Sequence, residues 1–169
     1  MAQDTDPQEN PRTTTFNLVF VCTGNTCRSP LAEALARREL ERRDWRHVQV
    51  ASAGIAAVDG SPPSRNAAEV ARRHGLDLSS HRSRPLTPGL LEWADLVLAM
   101  SPSHVYALER MGGGGKVALL SEFAAGPDGE GYPIHDPFGG DEEAYEATLQ
   151  ELQPLVGAVF DRLAPILHP

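Results

Sequence analysis

A thiol and a guanidinium stand with five residues between them in the stretch Cys22-Thr23-Gly24-Asn25-Thr26-Cys27-Arg28-Ser29. A cysteine carrying negative charge is a strong nucleophile, and an arginine presents a planar fork of donors that holds two phosphate oxygens. Between them, Gly24 and Asn25 tolerate the tight turns that aim backbone N–H groups inward. The apolar run Leu18-Val19-Phe20-Val21 comes before, and Pro30 with an Ala- and Leu-rich segment comes after. This predicts a buried strand leading into the loop and a helix leading out, with Ser29 as N-cap and Pro30 as the first helical residue. N–H groups converging at a helix N-terminus attract a tetrahedral oxyanion, and the same field favours negative charge on the Cys22 sulfur. The reading is a phosphate cradle over Thr23, Gly24, Asn25, Thr26, Cys27 and Arg28, with Cys22 as nucleophile.

Thiolate attack on a phosphoryl group expels a leaving group that needs a proton, and a carboxylic acid on a separate loop is suited to supply it. Asp136 leads, in the run His135-Asp136-Pro137-Phe138-Gly139-Gly140, whose composition suits a lid. His135 is the weaker rival for that role, and His74 is a candidate hydrogen-bonding support behind the first loop.

Strands are expected over Asn17 to Val21, Val48 to Ala53, Asp95 to Met100 and Val117 to Leu120. Helices are expected from Leu31 to Arg43, Ser64 to Arg73, Thr87 to Trp93 and Ser101 to Arg110. A long amphipathic helix from Asp141 to Leu167 should be kinked or split by Pro154. Strands alternating with helices imply an α/β, three-layer fold, a four-stranded parallel sheet with helices on both faces. Ligands in such sheets bind at the carboxyl ends of the strands, where the Cys22 loop and Ser52 fall. The run Gly112 to Gly115 before Lys116 lacks the spacing of a nucleotide-binding loop and reads as a turn.

At 169 residues the chain is one domain, over 16–169, behind a polar tail over 1–15. A net charge of -8 argues against general nucleic-acid binding. No apolar run spans a bilayer and no signal-peptide core precedes the domain, so no membrane role is expected. The two cysteines, Cys22 and Cys27, both lie in the loop, which excludes a disulfide framework and fits a reducing cytoplasm. Their proximity allows a reversible Cys22–Cys27 bond under oxidation. No metal or other cofactor is called for, and a monomer is favoured.

These motifs, with Ser52-Ala53-Gly54 and the strand Asp95 to Met100, resemble the low-molecular-weight protein tyrosine phosphatase family from about Asn17 to Leu167. The resemblance implies Cys22 as nucleophile, Arg28 as phosphate ligand and Asp136 as general acid and base, acting on a phosphorylated protein. It also implies that Asn25, Ser29, Ser52 and His74 hold the loop rigid, with Ser29 donating to the sulfur. The family's four-stranded parallel sheet agrees with the alternation read from the residues.

Two positions bear on substrate. Thr26 stands where tyrosine-directed members carry a bulky aliphatic residue, and Asp136 to Gly140 resembles the arginine-directed branch. A phosphotyrosine ring gains from two apolar walls, whereas a planar phosphoguanidine prefers polar contact and one aromatic face, which Phe138 offers. Thr26 and Phe138 are thus the expected specificity residues of a protein-arginine phosphatase, with a tyrosine phosphatase as alternative. An arsenate reductase is disfavoured because no cysteine follows Cys27. A dead phosphate-binding module is disfavoured because Cys22, Arg28 and Asp136 are all present.

Overall fold

The chain's computed structural model describes residues 15–167, so the expected tail lies, apart from Thr15, outside the described residues. Four β-branched and aliphatic segments form the sheet: β1 (Phe16–Cys22), β2 (Val48–Gly54), β3 (Leu96–Ala99) and β4 (Val117–Leu119). All neighbours pair in parallel, in the order β2-β1-β3-β4. Alternation along β1 sends Leu18, Phe20 and Cys22 to one face and Val19 and Val21 to the other.

The first face is covered by α1 (Arg28–Arg43), α2 (Arg65–Arg73), α5 (Leu120–Ala125) and α6 (Glu142–Leu167), which bury Leu31, Val70, Leu120, Leu149 and Phe160 there. The second is covered by α3 (Pro88–Trp93) and α4 (Pro102–Arg110) through Leu91 and Leu108. The fold is therefore the three-layer α/β arrangement expected. Thr87 caps α3, its Oγ1 accepting from Leu90 N–H at 3.1 Å, and Gly75 turns the chain at φ +76 after α2. No helix among the described residues is long and apolar enough to cross a membrane.

Three local expectations need correction. Helix α6 is not split at Pro154: that residue is exposed, while Leu149, Leu152, Val156 and Val159 keep one continuous buried stripe beneath it. Packing along that stripe outweighs the one missing N–H. The fourth strand ends at Leu119, and Leu120 opens α5, a helix the sequence reading lacked. Finally, α1 begins at Arg28 with Cys27 as its N-cap, because the Ser29 hydroxyl is committed elsewhere.

Candidate active site

β1 ends at Cys22, and the chain curls over residues 23–27 before α1 begins, so the loop sits on the helix's unpaired N–H groups. Asn25 is the pivot. Its backbone is left-handed at φ +57, a conformation Asn adopts more readily than most residues. Its side chain is fully buried, and Oδ1 accepts the Arg84 N–H at 3.0 Å, which fixes the amide orientation. Nδ2 then donates to Ser29 Oγ at 2.8 Å and to Ser52 Oγ at 2.9 Å. Ser29 Oγ also lies 2.9 Å from Cys22 Sγ, and once the sulfur is a thiolate the Ser29 O–H is the donor of that bond. Ser52 donates its own O–H to Glu33 Oε1 at 2.6 Å. A chain of hydrogen-bonded polar groups thus runs from half-buried Glu33 through buried Ser52, Asn25 and Ser29 to the sulfur.

The loop is clamped on its outer side as well. Ile55 N–H donates to the Cys22 carbonyl at 3.0 Å, Ala56 N–H to Thr23 at 2.9 Å, and Ser64 N–H to Thr26 at 2.9 Å. Gly54 permits this approach: a Cβ there would stand 2.5 Å from the Thr23 carbonyl oxygen and 2.9 Å from Asn25 N.

His74 is not part of this clamp. Its Nε2 bonds the carboxylate of Glu146, in α6, at 2.7 Å. The imidazole that bonds the loop is His81, whose Nε2–H donates to the Asn25 carbonyl at 2.8 Å. A second histidine absent from the sequence reading, His104, bonds Thr23 Oγ1 through Nε2 at 2.8 Å. Cys27 is buried under the loop, its Sγ 3.0 Å from Ser64 Oγ and 3.3 Å from Tyr145 Oη. Burial, then the bond to Cys27, pushes the Tyr145 hydroxyl up to about 12, so it stays protonated.

The segment 134–140 covers the loop. Ile134 N–H donates to Met100 O at 2.8 Å, and Arg28 Nη1 donates to Ile134 O at 3.1 Å. Asp136 Oδ2 lies 3.5 Å from Arg28 Nη2, and Asp136 Oδ1 accepts the Phe138 N–H at 3.1 Å. Gly139, at φ +82, closes the turn, and Asn66 Nδ2 anchors Gly140 O at 3.2 Å.

A pocket of ≈ 200 Å³ results. Cys22, Thr23, Gly24, Thr26, Cys27 and Arg28 form its floor and sides, and Asp136 and Phe138 its rim. His135 does not line it; its backbone is held by Glu151 and Thr148 instead. Phe138 is 75 % exposed, an aromatic face waiting for a partner. A thiol, a loop at a helix N-terminus, a guanidinium and a carboxyl therefore line one small pocket.

The family model described as low molecular weight phosphotyrosine protein phosphatase matches residues 17–165. The chain belongs to this phosphatase family. Among family relatives, a protein-arginine-phosphatase of Geobacillus stearothermophilus is 40% identical over 150 residues, covering 88% of this chain and 96% of that protein. A probable low molecular weight protein-tyrosine-phosphatase, EpsP of Ralstonia nicotianae, is 36% identical over 148 residues, covering 86% and 94%. Among solved members of the phosphatase family, the arginine phosphatase YwlE, as a mutant with a phosphorylated active-site serine, superposes with a TM-score of 0.83 at 38% identity, over 89% of this chain and 97% of that one.

Proposed function

We propose that this protein is a cysteine-dependent phosphatase that removes phosphate from arginine side chains of proteins through a phosphocysteine intermediate. One observation carries the substrate class: Thr26 forms the pocket wall, and Phe138 is its sole aromatic lining among the described residues. A flat, cationic guanidine fits one aromatic face and polar walls, whereas an aryl ring would leave the Thr26 hydroxyl facing hydrocarbon. The likeness to arginine phosphatases at 40% identity supports the same reading.

The chemistry follows from the geometry. Cys22 attacks phosphorus while the loop N–H groups and Arg28 take up charge on the three equatorial oxygens. The P–N bond breaks, and Asp136 delivers a proton to the departing guanidine nitrogen. Asp136 then accepts a proton from water as it attacks the phosphocysteine, and inorganic phosphate leaves. Asn25, Ser29 and Ser52 keep the sulfur and the cradle in register throughout. The protein acts in a reducing cytoplasm. There a peroxide oxidant joins Cys22 to Cys27, two protons and two electrons leaving, and stops catalysis until a thiol reverses it.

The test is phosphate release from an arginine-phosphorylated protein by the purified chain. Release abolished by Cys22→Ser, with a phosphoryl group trapped on Cys22 when Asp136→Ala is given nitrophenyl phosphate, whose leaving group needs no proton, is the expected result. Release that survives Cys22→Ser contradicts the proposal.

A further inference from the structure

His104 is buried yet takes no part in the chemistry above. It lies in the first turn of α4, 4% exposed, with Nε2 2.8 Å from Thr23 Oγ1 and Nδ1 3.0 Å from Ser101 Oγ. Ser101 Oγ is in turn 2.9 Å from Ser103 Oγ. Thr23, by contrast, is exposed and lines the pocket beside Cys22. One ring therefore ties the helix layer on the second face of the sheet to the residue after the nucleophile.

Burial, reinforced by nearby Arg28 and opposed by Asp136, pushes His104 down to about 4 and keeps it neutral. A neutral imidazole has one N–H and one lone pair. With the lone pair on Nε2, Thr23 gives its proton to the ring and keeps both of its own lone pairs. With the proton on Nε2, Thr23 accepts it and keeps one. In either tautomer Oγ1 retains an unused lone pair.

We infer that Thr23, held by His104, is a hydrogen-bond acceptor for a guanidinium N–H of the phosphoarginine side chain, which makes the pair a determinant of substrate class. The inference rests on the phosphoarginine reading of the site. A guanidine carries N–H donors beside the reacting phosphorus, and an aryl phosphate carries none. An aryl ring entering the pocket strips water from Thr23 Oγ1 and returns no partner, which is the kind of loss that discriminates strongly between substrates. Thr23 touches substrate; His104 is a positioning residue that acts through it.

The test measures kcat and KM on matched phosphoarginine and phosphotyrosine peptides for the full chain and for Thr23→Val, His104→Leu, His104→Gln and the Thr23→Val/His104→Leu pair. Thr23→Val and His104→Leu are each expected to lower the phosphoarginine preference about tenfold, chiefly through KM for that peptide. The pair is expected to lose no more than either alone. His104→Gln, whose carboxamide still reaches the Thr23 hydroxyl, keeps most of the preference. Should His104→Leu fail to fold, the exposed Thr23→Val carries the test by itself. Equal losses on both peptides, or additive losses in the pair, overturn the inference. A wild-type chain with no phosphoarginine preference overturns the underlying reading instead.

Discussion

Arg28 Nη2 lies 3.5 Å from Asp136 Oδ2, while its Nη1 donates to the Ile134 carbonyl at 3.1 Å. The guanidinium proposed to bind phosphate thus also holds the segment carrying the proposed general acid. Arg28 is buried and Asp136 is half-exposed, so the arginine is the fixed partner and the aspartate the movable one.

Arg28→Lys should fail in both duties, since an ammonium supplies no planar fork. Steady-state kinetics are expected to show kcat/KM lower by about a hundredfold or more. Hydrogen exchange should show faster exchange across residues 134–138. Unchanged exchange there would separate the lid from the arginine.

Asp136→Asn tests the proton. A guanidine nitrogen leaves only when protonated, whereas nitrophenolate departs as a stable anion. The substitution is expected to cost about 10²- to 10⁴-fold in kcat on a phosphoarginine peptide and far less on nitrophenyl phosphate. Equal losses on the two substrates would assign Asp136 to positioning alone.

Asn25 combines a left-handed backbone with a fully buried amide that bonds Ser29, Ser52 and the Arg84 N–H. Asn25→Ala loses both features and is expected to cost about 3 kcal/mol in urea unfolding. Asn25→Gly keeps the backbone freedom and should cost about 1 kcal/mol less. Both should lower kcat/KM, because both leave Ser29 without its orienting donor.

How far the sequence went is visible in these same residues. Cys22, Arg28 and Asp136 were legible because strand, loop and helix signals surround the first two and a Pro- and Gly-rich run surrounds the third. The loop's histidine was not. His74 and His81 both follow α2, and the choice between them depends on the turn through Leu76 and Leu78 that brings the chain back to Asn25. Spacing along the chain carries no record of that turn. His104 and Tyr145 reach the loop from α4 and α6, 81 and 118 residues away from the groups they bond. The continuity of α6 past Pro154 depended on a buried stripe whose partners lie in α1, α2 and α5.

His104 gives the fold a pH dependence of definite sign. Its folded pKa is lowered, from 6.5 to about 4, chiefly by burial. Above pH 6.5 both states hold a neutral ring and its contribution is fully present. As pH falls from 6.5 toward 4, the unfolded chain binds a proton that the folded chain refuses, and stability is lost, on the order of 3 kcal/mol in total. Urea unfolding should therefore show His104→Asn well below wild type at pH 7.5 and closer to it at pH 5. A gap that is constant with pH would contradict this.

Substrate class is decided by phosphate release from one peptide sequence carrying either phosphoarginine or phosphotyrosine, for the wild-type chain and for Thr26→Ile. A strong wild-type preference for phosphoarginine is expected, with a shift toward phosphotyrosine in Thr26→Ile and Cys22→Ser inactive on both. Equal or faster wild-type turnover of the phosphotyrosine peptide would contradict it.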